Sequence, residues 1–260
     1  MKPRRPSPWI VAEPETGETR IRLVCLPYAG GNASLFRSWS RSLPSEVQVC
    51  SVQLPGRHRR LGERPMTRMA PLVDALEDVI ARLSDVPLVF FGQCAGALIG
   101  YELARKLRRT SRGTVRHLFI AACPAPERYA NRTPLHALPD EAFFDALERM
   151  GGTPSEVLAT PELRAFVAPA LRADLELVET YAYTEEEPLS CPITTFHGSE
   201  DTMVTEEEMR PWKHHTRSEV VQYTMPGTHY VLEQSEPKVL EVIERALSAI
   251  LDESPIDAPS

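Results

Sequence analysis

The sequence PLVFFGQCAGALIG, residues 87–100, decides the fold class of this chain. Its first five residues are a proline followed by four apolar residues, which predicts a strand over Pro87–Phe91 that is buried on both faces. The segment Gly92–Gly96 follows without a linker, and the apolar spacing from Ala95 to Leu107 then predicts a helix. A buried strand, a glycine-flanked turn and a helix in direct succession can hold one reactive side chain above the edge of a parallel sheet.

Short apolar runs alternate with helical patterns on both sides of this segment. Further strands are predicted at Ile21–Leu26, Val47–Leu54, Val115–Ala121, Pro192–Phe196 and Val220–Tyr223. Further helices are predicted at Leu35–Leu43, Met66–Leu83 and Pro237–Leu251. This alternation predicts an α/β fold with a mostly parallel central sheet and helices on both faces. The length of 260 residues is compatible with a single domain over 1–260.

The alternation of strands and helices breaks between residues 127 and 188. Two helices are predicted there, Pro139–Met150 and Pro161–Tyr183, with the sequence GGTP of residues 151–154 between them. An all-helical segment between two strands of such a sheet is expected to form a lid over the functional edge. The polar, proline-containing ends at 1–18 and 252–260 are expected to be loose tails.

Composition excludes several classes of protein. The chain has 29 basic and 36 acidic residues, and this net charge of −7 disfavours binding to nucleic acid or to an anionic membrane. No apolar run approaches the ~20 residues that span a bilayer. The N-terminus lacks the apolar core of a secretory signal, so we expect a cytoplasmic protein.

No metal-ligand spacing and no nucleotide-binding motif occurs in the sequence, so we expect neither a metal nor a cofactor. Oligomeric state cannot be derived from these patterns, and a monomer is the default expectation.

Five cysteines are present, and one of them stands apart from the others. Four lie in or beside apolar runs, where a small buried thiol is expected: Cys25, Cys50, Cys123 and Cys191. Cys94 instead occupies the centre of the sequence Gly92-Gln93-Cys94-Ala95-Gly96. The following helix begins there with free N–H groups and the positive end of its dipole, which favour a thiolate. Cys94 is therefore the candidate nucleophile.

An acid and a histidine follow Cys94 in the chain order of α/β hydrolase triads. Asp201 comes after the predicted strand Pro192–Phe196, with Glu200 as the rival carboxylate, and His229 lies in a short loop after Val220–Tyr223. His229 would take the proton of Cys94, and Asp201 would orient the imidazole. The other histidines favour structural roles, and surface positions are expected for His58, His136, His214 and His215.

Attack on an acyl carbonyl also requires two N–H groups that stabilise the oxyanion. Ala95, directly after the nucleophile, is expected to supply one of them. The other is expected from the small-residue loop Pro27–Gly31, which follows the strand Ile21–Leu26.

Several segments together resemble one family. They are LPYAGGNASLF (26–36), QLPGR (53–57), the Cys94 segment, the helical segment 138–181, CPITTFHGSED (191–201) and PGTHYVLEQ (226–234). The chain is similar over about residues 20–250 to type II thioesterases, the free-standing α/β hydrolases encoded with polyketide synthases and nonribosomal peptide synthetases. The resemblance implies cleavage of acyl groups from the phosphopantetheine arm of acyl or peptidyl carrier proteins. It also implies a triad of Cys94, Asp201 and His229, oxyanion donors at Ala29 and Ala95, and a lid over an acyl channel.

The chain departs from this family at the nucleophile. The usual family sequence is G-H-S-M-G, whereas residues 92–96 are GQCAG. Attack of a cysteine on a thioester yields another thioester, so acyl transfer to a second carrier or another acceptor is an alternative to hydrolysis. A general esterase or a binding protein without turnover are weaker alternatives, because the segment 138–181 and the complete triad order argue against them.

One basic cluster stands out in this acidic chain. It comprises Arg57, His58, Arg59 and Arg60, followed by Arg64 and Arg68. Carrier proteins are typically acidic, so the cluster is a candidate docking surface, and a solvated loop is an equal alternative.

Overall fold

A seven-stranded sheet forms the centre of the computed structural model, which describes residues 7–12, 18–129 and 134–253. The strands are β1 (Ile10–Ala12), β2 (Ile21–Leu26), β3 (Val47–Val52), β4 (Leu88–Gln93), β5 (Val115–Ala121), β6 (Ile193–Gly198) and β7 (Val220–Met225). Their order across the sheet is β1-β3-β2-β4-β5-β6-β7. β1 pairs antiparallel with β3, and the other pairings among these strands are parallel.

Helices cover both faces of this sheet. The α-helices are α1 (Met69–Ile80), α2 (Ala95–Thr110), α3 (Asp140–Met150), α4 (Ser155–Ala159), α5 (Pro161–Glu179), α6 (Glu206–Met209) and α7 (Val231–Asp252). Buried side chains of α1 and α2 join one apolar cluster, and those of α7 join the cluster on the opposite face. The predicted α/β-hydrolase architecture is therefore confirmed. No described helix is both long enough and apolar enough to cross a membrane.

The segment between β5 and β6 contains α3, α4 and α5 and has a small core of its own. Phe143, Phe144, Leu147 and Leu175 form that core, separate from the two clusters of the sheet. The short helix α4 was not predicted, because five residues show too little periodicity. The predicted helix Pro161–Tyr183 ends earlier, at Glu179. Residues 130–133 of this insertion lie outside the described residues.

Local predictions were wrong at three other places. Leu35–Leu43 forms two 3₁₀ turns rather than a helix, since serines at 38, 40 and 42 favour turns over helix. The tail 1–18 is not loose throughout, because Ile10–Ala12 adds the antiparallel edge strand β1. The last helix begins at Val231, ahead of the prediction at Pro237, with a kink at Ser235. The remaining tail residues, 1–6, 13–17 and 254–260, lie outside the described residues.

Candidate active site

Cys94 lies at the turn between β4 and α2 in a strained backbone conformation. Its φ of 51° and ψ of −120° are rare for a residue other than glycine. The turn is tight enough that a Cβ at Gly92 would collide with backbone of Gly96 and Ala97. A Cβ at Gly96 would collide with the backbone carbonyl of Leu26 at the end of β2. The two glycines thus hold Cys94 above the sheet edge, partly exposed, whereas the other four cysteines are buried as predicted.

His229 and Asp201 meet at the same sheet edge. Asp201 follows β6, His229 follows β7, and His229 Nδ1 lies 2.9 Å from Asp201 Oδ2. Asp201 Oδ1 accepts hydrogen bonds from the N–H groups of Met203 and Val204, at 2.8 and 3.0 Å. These bonds fix the carboxylate, which in turn orients the imidazole. The rival Glu200 is exposed, and its N–H donates to the carbonyl of Gly227.

The contacts of His229 favour its protonated form. Burial lowers the pKa of His229, but the hydrogen bond with Asp201 and the interaction with Cys94 outweigh burial and raise this pKa to about 10. Burial raises the pKa of Asp201, whereas its bonds to His229, Val204 and Met203 lower it more, so the net shift is downward. A positive imidazolium between a carboxylate and a thiol is the arrangement that stabilises a cysteine thiolate.

The two predicted oxyanion donors, Ala29 and Ala95, are both close to Cys94. Ala95 is the first residue of α2, where a backbone N–H has no partner within the helix. Ala29 lies in the loop after β2 and lines the same cavity as Cys94 and His229. The loop of Ala29 begins beside the nucleophile turn, because Gly96 lies against the backbone carbonyls of Leu26 and Pro27. The roles of Ala29, which the family resemblance implies, and of Ala95 stay predictions.

An ion pair from the insertion holds the loop that contains Ala29. Arg57 Nη1 and Nη2 bind Asp174 of α5 at 2.5 and 2.7 Å, and both side chains are buried. Asp174 Oδ2 also accepts the N–H of Gly30 at 2.7 Å, while Arg57 Nη1 donates to the carbonyl of Gly31. Helix α5 is therefore connected directly to the residue after Ala29. Asp174 was not predicted from the sequence, where it is one more polar residue on an amphipathic helix.

The predicted basic docking cluster is wrong for two of its residues, Arg57 and Arg60. Arg57 points inward to Asp174, and Arg60 is buried between Glu63 and the ring of Trp9. Neither charge is presented to a partner protein. His58, Arg59 and Arg64 remain exposed.

Gln93 connects the nucleophile turn to the histidine loop. Its Nε2 donates to the carbonyl of His229 at 3.3 Å, and its Oε1 accepts the N–H of Leu232 at 3.2 Å. Gln93 is fully buried, so these two bonds satisfy polar atoms that burial would otherwise penalise. The sequence identified Gln93 only as a departure from the family motif. Only its position next to Cys94 in the sequence could have indicated that Gln93 contributes to the site.

Tyr230 connects the histidine loop to the insertion. Its hydroxyl donates to the carbonyl of Gly151 at 2.7 Å, and its ring packs on Gly152 so closely that a Cβ there would overlap it. Gly151 and Gly152 have φ values of 74° and 77°, which glycine adopts without strain.

A cavity of about 570 Å³ leads from Cys94 and His229 toward the insertion. Most of its wall is apolar, with contributions from Leu147, Met150, Val157, Val167 and Leu171. Such a wall suits an apolar group better than a charged one, because a charge would lose its hydration there without gaining a partner.

His215 corrects another expectation. It is buried, not at the surface, with Nδ1 at 2.8 Å from the Tyr101 hydroxyl and Nε2 at 2.7 Å from Glu127 Oε2. Burial lowers its pKa despite the contact with Glu127.

Comparison with known proteins defines the class. The family model described as thioesterase domain matches residues 21–247. A curated relative, the gramicidin S biosynthesis protein GrsT of Aneurinibacillus migulanus, is 38% identical over 94% of this chain and 95% of its own. Among solved structures, the RedJ thioesterase of the prodiginine pathway in Streptomyces coelicolor is 36% identical. It has a TM-score of 0.83 and covers 93% of this chain and 96% of its own. The type II thioesterase BorB of the borrelidin cluster is 30% identical with a TM-score of 0.83, over 94% of this chain and 98% of its own.

A parallel sheet with a strained nucleophile turn and a carboxylate–histidine pair at its edge defines an α/β hydrolase. The chain belongs to the thioesterase family, in its type II group.

Proposed function

We propose that this chain cleaves acyl groups from the phosphopantetheine arm of acyl or peptidyl carrier proteins, through an acyl-Cys94 intermediate. The observation that carries the proposal is the geometry at the sheet edge, where Cys94 projects from a strained turn beside the bonded pair His229–Asp201. The pathways named for the relatives, gramicidin S and prodiginine biosynthesis, support carrier proteins as the source of the thioester.

The reaction would begin with transfer of the Cys94 proton to His229. The thiolate then attacks the acyl carbonyl carbon, and the N–H groups of Ala29 and Ala95 stabilise the oxyanion. When the tetrahedral intermediate collapses, its bond to the pantetheine sulfur breaks and His229 returns a proton to that sulfur. Asp201 keeps the imidazole oriented and compensates its charge throughout.

Deacylation would use the same groups in reverse roles. His229 takes a proton from water, the hydroxide attacks the acyl-Cys94 carbonyl, and the bond to Cys94 Sγ breaks as the thiol is reprotonated. The products are a carboxylic acid and the free enzyme. The insertion would act as a lid, since α3 and α5 supply much of the apolar wall that separates the acyl group from solvent.

Acyl transfer is a second candidate function, and the identity of residue 94 favours it. An acyl-cysteine remains a thioester, so a second carrier thiol can accept its acyl group at little cost in free energy. The acceptor thiol would take the place of water, with His229 removing its proton.

The test uses an acyl-loaded carrier protein with and without an unloaded second carrier. We expect free acid to form at a catalytic rate without the second carrier, and Cys94→Ala to abolish it. An acyl-Cys94 that persists until the second carrier is added would favour transfer. Faster turnover of simple oxygen esters than of acyl-pantetheine would instead indicate a general esterase, and the proposal would be wrong.

A further inference from the structure

A second pocket, of about 110 Å³, adjoins the Cys94 cavity. Its wall contains Ala33, Ser34, Arg37, Ser51, Gln53, His58 and Arg59, together with Val11. His58 lines both this pocket and the Cys94 cavity. The two spaces therefore meet at His58.

The charged side chains among the described residues of this pocket are all basic. Its wall carries the cationic side chains of Arg37 and Arg59 and the imidazole of His58, all exposed, and none of its described lining residues is a carboxylate. Within the described ranges neither Arg37 nor Arg59 has a carboxylate within ion-pair distance, whereas their neighbours Arg57 and Arg60 are bound to Asp174 and Glu63. Two arginines without an acidic partner thus line one pocket in a chain whose net charge is −7.

We propose that this pocket, here called the Arg37–Arg59 pocket, binds the phosphate of the phosphopantetheine arm while the thioester lies at Cys94. The inference rests on the proposed function, because it assigns the outer end of the same substrate. Arginine guanidinium groups bind phosphate through paired N–H donors, and the hydroxyls of Ser34 and Ser51 add donors in the same wall.

The alternative position for the phosphate, inside the Cys94 cavity, is unfavourable. The wall of that cavity is mostly apolar, and the arginine in it, Arg57, is already bound to Asp174. A phosphate there would lose its hydration without a free cation to compensate. The thioester and the phosphate lie at opposite ends of the arm, so the phosphate is expected in a separate, basic pocket that adjoins the Cys94 cavity.

The experiment compares one acyl group on phosphopantetheine and on pantetheine, which differ only in the phosphate. Specificity is measured as the ratio of kcat/KM for the two thioesters. We expect the unmodified protein to prefer the phosphorylated thioester by about tenfold. The double variant Arg37→Ala/Arg59→Ala should bring this ratio below about twofold, and added salt should reduce it in the unmodified protein. Arg41→Ala, which removes an exposed arginine from the next turn and lines neither pocket, should keep the full ratio.

Three results would overturn the inference. The double variant could keep the phosphate preference at full activity, or it could lose activity equally on both thioesters, which would show that the arginines do not recognise the phosphate. Alternatively, it could be impaired only on intact acyl-carrier protein, which would mean that the arginines contact the carrier's surface. If the unmodified protein cleaved neither thioester nor an acyl-carrier, the proposed function itself would fail, which is a different outcome from an absent phosphate preference.

Discussion

His229 and His215 are both buried and both bonded to a carboxylate, yet of the two only His229 lines the cavity at Cys94. His229 binds Asp201 through Nδ1 and lies beside Cys94, and its pKa is raised. His215 binds Glu127 through Nε2 and Tyr101 through Nδ1, and burial lowers its pKa. A carboxylate partner therefore does not by itself identify a catalytic histidine. The other ring nitrogen must face a group that can exchange a proton with it and a space that admits substrate.

The largest expected effect on kcat/KM comes from replacing His229 by alanine, and the same change at His215 is its comparison. His229→Ala should lower kcat/KM for an acyl-pantetheine thioester by about 10⁴-fold or more, because proton transfer to and from sulfur is lost. His215→Ala should change kcat/KM by less than about threefold. It should lower the melting temperature, since the buried Tyr101 hydroxyl loses its partner, a cost of about 1–3 kcal/mol. Comparable losses of activity in both variants would invalidate the distinction.

Neutralising the carboxylate of each pair, Asp201–His229 and Glu127–His215, should affect the pH profile of kcat/KM differently. Asp201→Asn should lower kcat/KM by about 10³- to 10⁴-fold, by analogy with other triads. The Asp201 charge stabilises the imidazolium, so its loss lowers the pKa of His229, and the alkaline limb of the pH profile should move to lower pH. Glu127→Gln, the matched change at the second pair, should leave the profile in place. A profile for Asp201→Asn that coincides with the unmodified one would contradict the assignment.

A third prediction concerns Asp174, whose side chain binds the N–H of Gly30 in the loop that contains Ala29. Asp174→Asn should lower kcat by about tenfold to a hundredfold with a smaller change in KM, because the oxyanion forms only in the transition state. Glu176→Gln is the matched control, since Glu176 lies on the same helix and binds the exposed Arg68. If Asp174→Asn changed only KM or thermal stability, the ion pair would have a structural role and the prediction for kcat would be wrong.

The smallest expected effect on catalysis comes from a change at Tyr230. Tyr230→Phe removes the hydrogen bond to Gly151 but keeps the ring against Gly152. We expect a change in KM of about twofold to tenfold, as one neutral hydrogen bond is lost, and faster hydrogen exchange over residues 151–154. Unchanged exchange in that segment would show that the bond does not hold the insertion.

The sequence predicted the parts of the site that depend on local order. Cys94, Asp201 and His229 each follow a strand, and parallel strands bring their carboxyl ends to one edge, so their proximity follows from the strand pattern. Asp174 could not be predicted in the same way, because its partner Arg57 is 117 residues away and their meeting depends on how α5 crosses the sheet edge. The burial of His215 was missed for a similar reason. Its partners Tyr101 and Glu127 come from α2 and the start of the insertion, far from it in the sequence.

The central claim is that Cys94 carries the acyl group during turnover. The most direct measurement is mass spectrometry of the protein quenched in acid while it turns over an acyl-loaded carrier, followed by peptide mapping. We predict an added acyl mass on the peptide that contains Cys94, removable by neutral hydroxylamine as expected for a thioester, and absent from Cys94→Ala. Free acid formed by Cys94→Ala at the unmodified rate, or an acyl mass that persists on that variant, would contradict the account.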